Sequence, residues 1–287
     1  MSLKTLVLIA IIALPPVSCL AQQDTTSQKP QLLILADGSE LVGTVISEDS
    51  TTINFKTTGN ISMTVPKSQV KSLKILQGSF INGEYIRFDP NFTRLFFAPT
   101  ARALKAGQGY FSVYELFFPM LAVGVADFLT LAGGFSLFPG ATSQLIYFAP
   151  KITPYQSDQF AVSGGMLYLN SSTGGSDGAG ILYTVGTYGG QKAALTVGLG
   201  WGFYGSDIAD RPILMLGGEV RLSNHAKLIT ENWFPPNSDI SVISFGIRFF
   251  GENLAADLGF FRPTTSYTRG FPFIPWLGFA YNFGTSK

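Results

Sequence analysis

Seven charged residues occupy equivalent positions in an alternating sequence pattern, and that shared placement could give them a common role. After residue 92, large apolar residues alternate with small or polar ones, and these charges fall on the small and polar side. If that side encloses a lumen, the charges could conduct or select solutes, or they could pair with one another and fill the space. The candidates are Arg94, Glu115, Glu219, Arg221, Glu231, Arg248 and Asp257.

The chain also offers one candidate for nucleophilic catalysis. His225, the single histidine, follows Ser223 and Asn224, and a serine and a histidine can act as nucleophile and base. They lie in a short predicted turn, where neighbouring side chains point to different faces and Asn and Ser are ordinary residues. We therefore predict that the protein is not an enzyme, and that it has no cofactor or metal site.

The first 21 residues are organised like a secretory signal peptide. Lys4 precedes an apolar run from Leu6 to Leu14, and Cys19-Leu20-Ala21 supplies small residues before a cleavage point at Gln22. A membrane-spanning helix would need about 20 apolar residues. An uncleaved anchor and lipid attachment through Cys19 are the alternatives. Cleavage would remove the single cysteine, and with it any disulfide or thiolate chemistry.

Charge is scarce for a chain of this length. Charged residues make up 13% of it and the net charge is +1, whereas soluble domains average about 25% charged residues. A nearly neutral chain gives no electrostatic basis for binding nucleic acid. The mean hydropathy is nevertheless +0.27. The best apolar helix candidate, 116–138, contains Pro119, Asp127 and a Gly-Gly pair, so the composition favours a closed membrane β-barrel.

Residues 31–76 predict a small domain of five short strands. Asp37-Gly38 and Gly59-Asn60 are hairpin turn sequences, and Pro66 begins a single helical turn before the last strand. The pattern "DGSELVGTV…ISMTVPKSQVKSLKI" resembles SH3-like and Sm-like domains. Export and the absence of a basic aromatic platform argue against the RNA binding that an Sm likeness would imply. A polar, disordered lead (22–30) precedes this domain, and a linker (77–91) follows it.

From Thr93 onward, apolar and aromatic runs alternate with clusters of Gly, Pro, Asn or Ser, at a spacing that suits membrane strands of about 9 to 11 residues. In the last run, Leu277, Phe279 and Tyr281 would share one face and meet lipid. A soluble β-sandwich or lipocalin-like cup would leave such faces unexplained. The predicted strands are 93–98, 109–118, 121–138, 143–152, 159–170, 179–188, 192–204, 212–222, 226–233, 241–250, 254–261 and 275–283.

The connections between these runs predict an orientation. If 93–98 runs outward, the longer connections fall outside and the short turns fall on the periplasmic side, with both termini. The outer connections would be 99–108, 139–142, 171–178, 205–211, 234–240 and 262–274. The periplasmic turns would be 119–120, 153–158, 189–191, 223–225 and 251–253. The final strand would close the barrel against the strand that holds Arg94.

Residues 92–287 therefore resemble a Gram-negative outer-membrane β-barrel protein. Phe283 resembles the terminal aromatic residue of that class, although four residues follow it. The resemblance implies an all-β fold of about 12 antiparallel strands in outer-membrane lipid, with the 31–76 domain in the periplasm, where a protein or peptidoglycan could be its partner. Two functions stay open: a narrow channel or transporter for small solutes or lipids, and a structural or assembly protein with a closed lumen.

Overall fold

The protein is almost entirely β-structure. The predicted signal peptide and most of the polar lead lie outside the described part of the chain. Within that part, the one helical element is a 3-10 turn at Lys67–Gln69, and no helix is long and apolar enough to cross a membrane. The computed structural model describes residues 29–81, 84–174, 177–236, 238–264 and 272–284.

The N-terminal region forms a five-stranded antiparallel sheet with the order β4-β3-β2-β1-β5. Its core is made of Leu33, Ile53, Phe55 and Val65, which alternate with partly buried or exposed residues along their strands. The turn between the first two strands uses Gly38 at a φ of +88°, a conformation that glycine adopts without strain. The strands are β1 (Gln31–Leu35), β2 (Glu40–Glu48), β3 (Thr52–Thr57), β4 (Ser62–Pro66) and β5 (Val70–Ile75).

The predicted linker 77–91 contains a second small element, the hairpin of β6 (Gly78–Ile81) and β7 (Glu84–Arg87). This hairpin is bonded to one end of the large sheet that follows. Asn224 donates from its amide to Tyr85 O at 3.0 Å and accepts from Arg87 N at 3.2 Å. Arg221 donates to Arg87 O at 2.7 Å. The N-terminal sheet is therefore attached to this end of the molecule.

The remaining strands form a closed antiparallel barrel, in which the last strand pairs with the first. β11 and β12 follow each other along the chain and are separated at Pro150, which has no backbone N–H to donate. Both pair with β10 and with β13, so they act as one interrupted strand. The strands are β8 (Gly109–Tyr114), β9 (Phe118–Ala126), β10 (Leu129–Phe135), β11 (Leu145–Phe148), β12 (Lys151–Gln156), β13 (Phe160–Ser171), β14 (Ala179–Gly189), β15 (Ala193–Tyr204), β16 (Asp207–Ile208), β17 (Ile213–Ser223), β18 (Ala226–Phe234), β19 (Val242–Phe250), β20 (Leu254–Pro263) and β21 (Ile274–Phe283).

The barrel has twelve strands, because β11 and β12 count once and the two-residue β16 is a local pair within a connection. The alternation along β21 separates its two faces. Phe279 and Tyr281 are 48% and 52% exposed on the outside, whereas Ala280 and Asn282 are 3% and 2% exposed and point inward. Large apolar side chains thus cover the outer wall, as predicted, whereas the interior holds small and polar side chains together with large apolar ones such as Met215 and Tyr147.

The two ends of the barrel differ in the length of their connections. At the turn end, which also holds both ends of the barrel sequence, five connections have two or three residues each. At the loop end, five of the six connections have seven to ten residues, and the sixth, 115–117, has three. This asymmetry agrees with the predicted pattern from residue 139 onward.

Two strand predictions are wrong, and they cancel in the count. Residues 93–98 are not a barrel strand, so β21 closes against β8 and the connection 99–108 is not an outer loop. The predicted single strand 121–138 is instead the hairpin of β9 and β10, with Asp127-Phe128 as its turn. The turn predicted at 119–120 therefore lies within β9. Both errors involve apolar runs in which no change of residue type marks where a strand begins or ends.

Candidate functional site: the closed lumen

The residues before the first barrel strand enter the barrel and return. We call residues 89–104 the inserted loop. Leu95 N donates to Ala98 O at 2.9 Å, which makes the tip a tight turn, and Thr100 N donates to Thr93 O at 3.0 Å across its base. Leu95, Phe96, Thr100 and Ala101 have no exposed surface. The loop therefore occupies the lumen that the wall encloses.

The inserted loop forms no backbone–backbone hydrogen bond with the described barrel strands. Its buried amides and carbonyls still need partners, because an unpaired polar group in a water-free interior is costly. Glu231 of β18 provides two of these bonds. Its Oε2 accepts from Phe97 N and from Ala98 N, both at 2.9 Å, while Oε1 accepts from Trp233 Nε1 at 2.9 Å.

Arg248 of β19 serves the carbonyls on the same side of the loop. Its guanidinium donates to Asn91 O at 2.8 Å, to Arg94 O at 3.1 Å and also to Leu95 O. The planar fork of an arginine suits several acceptors at once. One fully buried side chain of the wall therefore bonds three carbonyls of the inserted loop.

The opposite wall provides the other partners. Lys151 of β12 donates to Arg102 O at 2.7 Å, to Thr100 O at 3.1 Å and to Thr93 O at 3.4 Å. Thr187 accepts from Ala101 N at 2.9 Å, and Ser163 donates to Ala101 O. Polar residues from both sides of the wall thus replace the strand neighbours that the loop lacks.

Seven charged side chains form one continuous chain of ion pairs between loop and wall. Asp89, Arg94 and Arg102 belong to the inserted loop. The pairs Arg94–Asp257, Asp257–Arg248, Arg248–Asp89, Asp89–Lys227 and Lys227–Glu219 have separations of 2.5, 2.6, 3.1, 3.0 and 2.9 Å, and Glu219 also pairs with Arg102. Buried charges persist only with such partners. The network therefore fixes the loop inside the barrel.

Glycines in the wall make room for the apolar tip of the loop. Gly246 and Gly259 face each other across β19 and β20, and a Cβ on either would come within 2.9 Å of the Phe96 ring. A Cβ on Gly217 would lie 2.0 Å from Leu95 Cδ1. The ring of Phe96 also contacts Phe261 with a centroid separation of 5.6 Å. Close packing therefore accompanies the polar contacts.

The predicted lumen charges lie in four different places. Glu219, Glu231, Arg248 and Asp257 are buried on the inner face of β17 to β20, and Arg94 belongs to the inserted loop. Glu115 instead lies in the three-residue turn at the loop end and accepts from Leu277 N at 2.7 Å. Arg221 is half-buried at the turn end, where it holds the β6–β7 hairpin.

Four further charges of the barrel interior are absent from the prediction. Lys227 and Lys151 lie on predicted strands. Lys227 precedes Glu231 by four residues on the same strand, so the alternation could have predicted that Lys227 also points inward. Asp89 and Arg102 fall in a predicted linker and a predicted outer loop. No periodic pattern marks those two, because the inserted loop is not a strand.

The histidine has an ordinary structural place. His225 is exposed in the two-residue turn between β17 and β18, and its backbone N donates to Ser223 Oγ at 3.1 Å. Across the described ranges, no group of three or more His, Cys, Asp and Glu residues could hold a metal ion. The polar interior is therefore occupied by the inserted loop and its partners.

The chain folds as a closed twelve-stranded antiparallel β-barrel whose interior is filled by its own inserted loop. No family model and no curated protein matches the chain. Among solved structures it is similar to a KdgM porin, at 8% identity over 61% of this chain and 95% of that one, with a TM-score of 0.42. Outer-membrane expressed OmpT of Vibrio cholerae gives 13% identity, coverage of 89% and 95%, and a TM-score of 0.31. OccK5 of Pseudomonas aeruginosa has 9% identity over 89% of this chain and 95% of that one, with a TM-score of 0.33. At these values the likenesses carry no argument about function.

Proposed function

We propose that the protein is an outer-membrane barrel closed by its own inserted loop, with a structural or interaction role, that carries the N-terminal sheet on its periplasmic side. The observation that carries the proposal is the chain of seven ion-paired side chains joining loop and wall. A lumen built to conduct would keep its charges in water, whereas these charges are buried and paired.

The outer wall supports a location in lipid. Phe111, Leu195, Phe245 and Phe279 each expose between 48% and 56% of their surface on different strands around the barrel. Apolar patches of this extent are rare on soluble monomers. The short connections at the turn end support a periplasmic position for that end and for the attached sheet.

The N-terminal sheet is the part best placed to meet a partner. We interpret its five strands, with a 3-10 turn before the last one, as an SH3-like domain. Ile46, Ile61 and Ile75 are 51%, 63% and 54% exposed on it. A periplasmic protein or peptidoglycan is the proposed partner. Sedimentation of the purified protein with peptidoglycan sacculi, compared with a variant that lacks residues 31–75, distinguishes these two partners.

Conductance in planar bilayers tests the closed lumen. We expect no ion-conducting steps from the purified protein, and steady steps from a variant in which Gly-Ser-Gly replaces residues 93–103. The bridge is feasible because Phe92 and Leu104 line the same cavity at the turn end. Heat-modifiable migration on a gel confirms that the variant is folded. Steady conductance by the unmodified protein, or a folded variant that stays silent, would contradict the proposal.

A gated channel or transporter for small solutes is the second candidate. It is favoured by one observation, namely that only side chains bond the inserted loop to the wall, so the loop could leave without unpairing a strand. In graded urea, this candidate predicts reversible conductance below the concentration that unfolds the barrel. Conductance that begins only with unfolding would remove it.

A further inference from the structure

Two apolar cavities lie between the inserted loop and the wall opposite its ion pairs. Their volumes are about 110 and 330 Å³, and Phe97 and Leu167 line both, so the cavities adjoin. For scale, an apolar cavity of about 150 Å³ in another protein holds benzene. The larger cavity extends to the loop end, where Glu115 and Phe118 line it. Together they form a lipophilic chamber inside the barrel.

Arg94, Thr130 and Lys151 provide the polar part of the smaller cavity. Arg94 is 2% exposed, and its Nε and Nη2 have no hydrogen-bond partner. Thr130 pairs with Lys151 across β10 and β12, and its hydroxyl is also unpartnered. Three buried donor atoms without acceptors therefore belong to residues that line the smaller cavity, and two more, Tyr114 Oη and Trp276 Nε1, belong to residues that line the larger one.

The charges around the chamber favour an anion. Lys151 bonds three carbonyl oxygens but no carboxylate, and no acidic residue lines the smaller cavity. Among the described residues, Glu115 is the acidic residue that lines the larger cavity, and it does not line the smaller one. Lys151 is therefore a buried cation without a carboxylate partner, and the unpartnered Thr130 hydroxyl lies beside it.

We propose that this chamber binds an alkyl-chain carboxylate. The carboxylate accepts from Arg94 and Thr130 and compensates the charge of Lys151. The alkyl chain extends past Phe97 towards Trp276, which lines the larger cavity. The site requires the inserted loop in place and does not depend on the proposed role of the N-terminal sheet.

The tryptophans of the chain allow a direct test in nanodiscs of phosphatidylcholine. Trp233 lines the smaller cavity and Trp276 the larger one, whereas Trp201 lies on the outward parity of β15. In a Trp201→Phe background, ω-bromododecanoate should quench the remaining fluorescence saturably. ω-Bromododecanol, which has the same chain without charge, should bind at least about tenfold more weakly, because hydrogen bonds to charged groups are lost. ω-Bromobutyrate should not saturate the site.

Variants locate the charge recognition. Lys151→Met should weaken carboxylate binding about tenfold more than alcohol binding, because only the carboxylate uses the charge, whereas the lost contacts to the inserted loop affect both ligands. Lys151→Arg should retain most of the carboxylate affinity. Lys105→Met is the matched control, since Lys105 is exposed and lines neither cavity of the chamber. Heat-modifiable migration checks the fold of each variant.

Several results would overturn the proposal. They are equal binding of the carboxylate and the alcohol, the absence of saturable quenching, or an equal loss of both ligands in Lys151→Met. Displacement of the quencher by phosphatidylglycerol in the nanodisc would assign the chamber to a membrane phospholipid instead. If Lys151→Met does not fold, the comparison of carboxylate with alcohol on the unmodified lysine decides. Conductance plays no part in this test, so its failure is separate from failure of the proposed closed barrel.

Discussion

Glu231 performs a task that is unusual for an acid inside a barrel. Its two oxygens accept from the amides of Phe97 and Ala98 and from the Trp233 indole, and no cation pairs with it among the described residues. In the barrel interior its carboxylate accepts the hydrogen bonds from the loop backbone that the carbonyls of a neighbouring strand would otherwise accept. Its contribution is therefore to the position of the inserted loop.

Truncation of Glu231 should release the tip of the loop. Glu231→Ala leaves the buried amide of Ala98 and the partly buried donors of Phe97 and Trp233 without acceptors. An unpaired buried donor costs about 1–3 kcal/mol and a partly buried one less, so we expect a loss of about 2–3 kcal/mol. Urea unfolding of the detergent-solubilised barrel, followed by tryptophan fluorescence, measures this loss.

Two further variants make the result specific. Glu231→Gln keeps one oxygen for the two loop amides and should lose roughly half as much as the alanine variant. Asp207→Ala removes an exposed acid at the loop end and should be nearly silent. If the alanine variants of Glu231 and Asp207 behave alike, the assigned role of Glu231 is wrong.

At the residue scale, the sequence could predict the charges of the wall but not those of the loop. Glu219, Glu231, Arg248 and Asp257 stand in long alternating strands, where parity alone indicates the inner face. Asp89 has no such periodicity around it. Its burial depends on pairs with Lys227 and Arg248, which lie far away in sequence.

At the scale of elements, β19 and β20 are shaped by what they face. Gly246 pairs with Gly259, and the Phe96 ring lies over both. A Cβ on Gly246 would also come 2.2 Å from Leu258 O, a backbone atom that cannot move without distorting the ladder. The small residues of these strands are therefore requirements of packing against the inserted loop and the neighbouring strand.

Gly246→Ala should destabilise the barrel by about 1–3 kcal/mol, the usual cost of overpacking. Gly186→Ala is the matched control, because it lies within β14 and a Cβ there would meet nothing within 4 Å. Urea unfolding compares the two variants. Equal stabilities would show that the close approach at Gly246 does not constrain the barrel.

The two strand errors show where element prediction from sequence stops. Residues 93–98 contain the tight turn at the tip of the inserted loop, where Leu95 and Phe96 are fully buried, and a local pattern cannot distinguish that state from a half-buried strand. In 121–138, the turn at Asp127-Phe128 is short, and apolar residues continue on both sides of it. The strand count of twelve was correct because one false strand replaced one missed strand.

At the scale of the whole molecule, composition and connection lengths were the most informative features. Scarce charge and the absence of a clean apolar helix indicated a barrel, because lipid permits few other folds. The structure shows this asymmetry of connections, because five of the six connections of two or three residues lie at one end of the barrel and 115–117 lies at the other. The β6–β7 hairpin binds that end through Asn224, which places the N-terminal sheet beside the short turns.

This arrangement predicts how the protein faces across the membrane. Ser172 at the loop end, Asp158 at the turn end and Lys71 on the N-terminal sheet are all exposed, so each accepts a cysteine. With a membrane-impermeant maleimide on intact Gram-negative cells, Ser172→Cys should be labelled. Asp158→Cys and Lys71→Cys should be labelled only after the outer membrane is permeabilised, because barrels of this type keep short turns in the periplasm.

The unmodified chain is the control, since its single cysteine, Cys19, lies in the predicted signal peptide. Labelling of Asp158→Cys but not Ser172→Cys on intact cells would show that the barrel has the opposite orientation. Labelling of Lys71→Cys together with Ser172→Cys would show that the sheet and the turn end lie on opposite sides of the membrane. Either result would contradict the proposed periplasmic position of the N-terminal sheet, because Asn224 and Arg221 bond the β6–β7 hairpin, which directly follows that sheet in the chain, to the turn end.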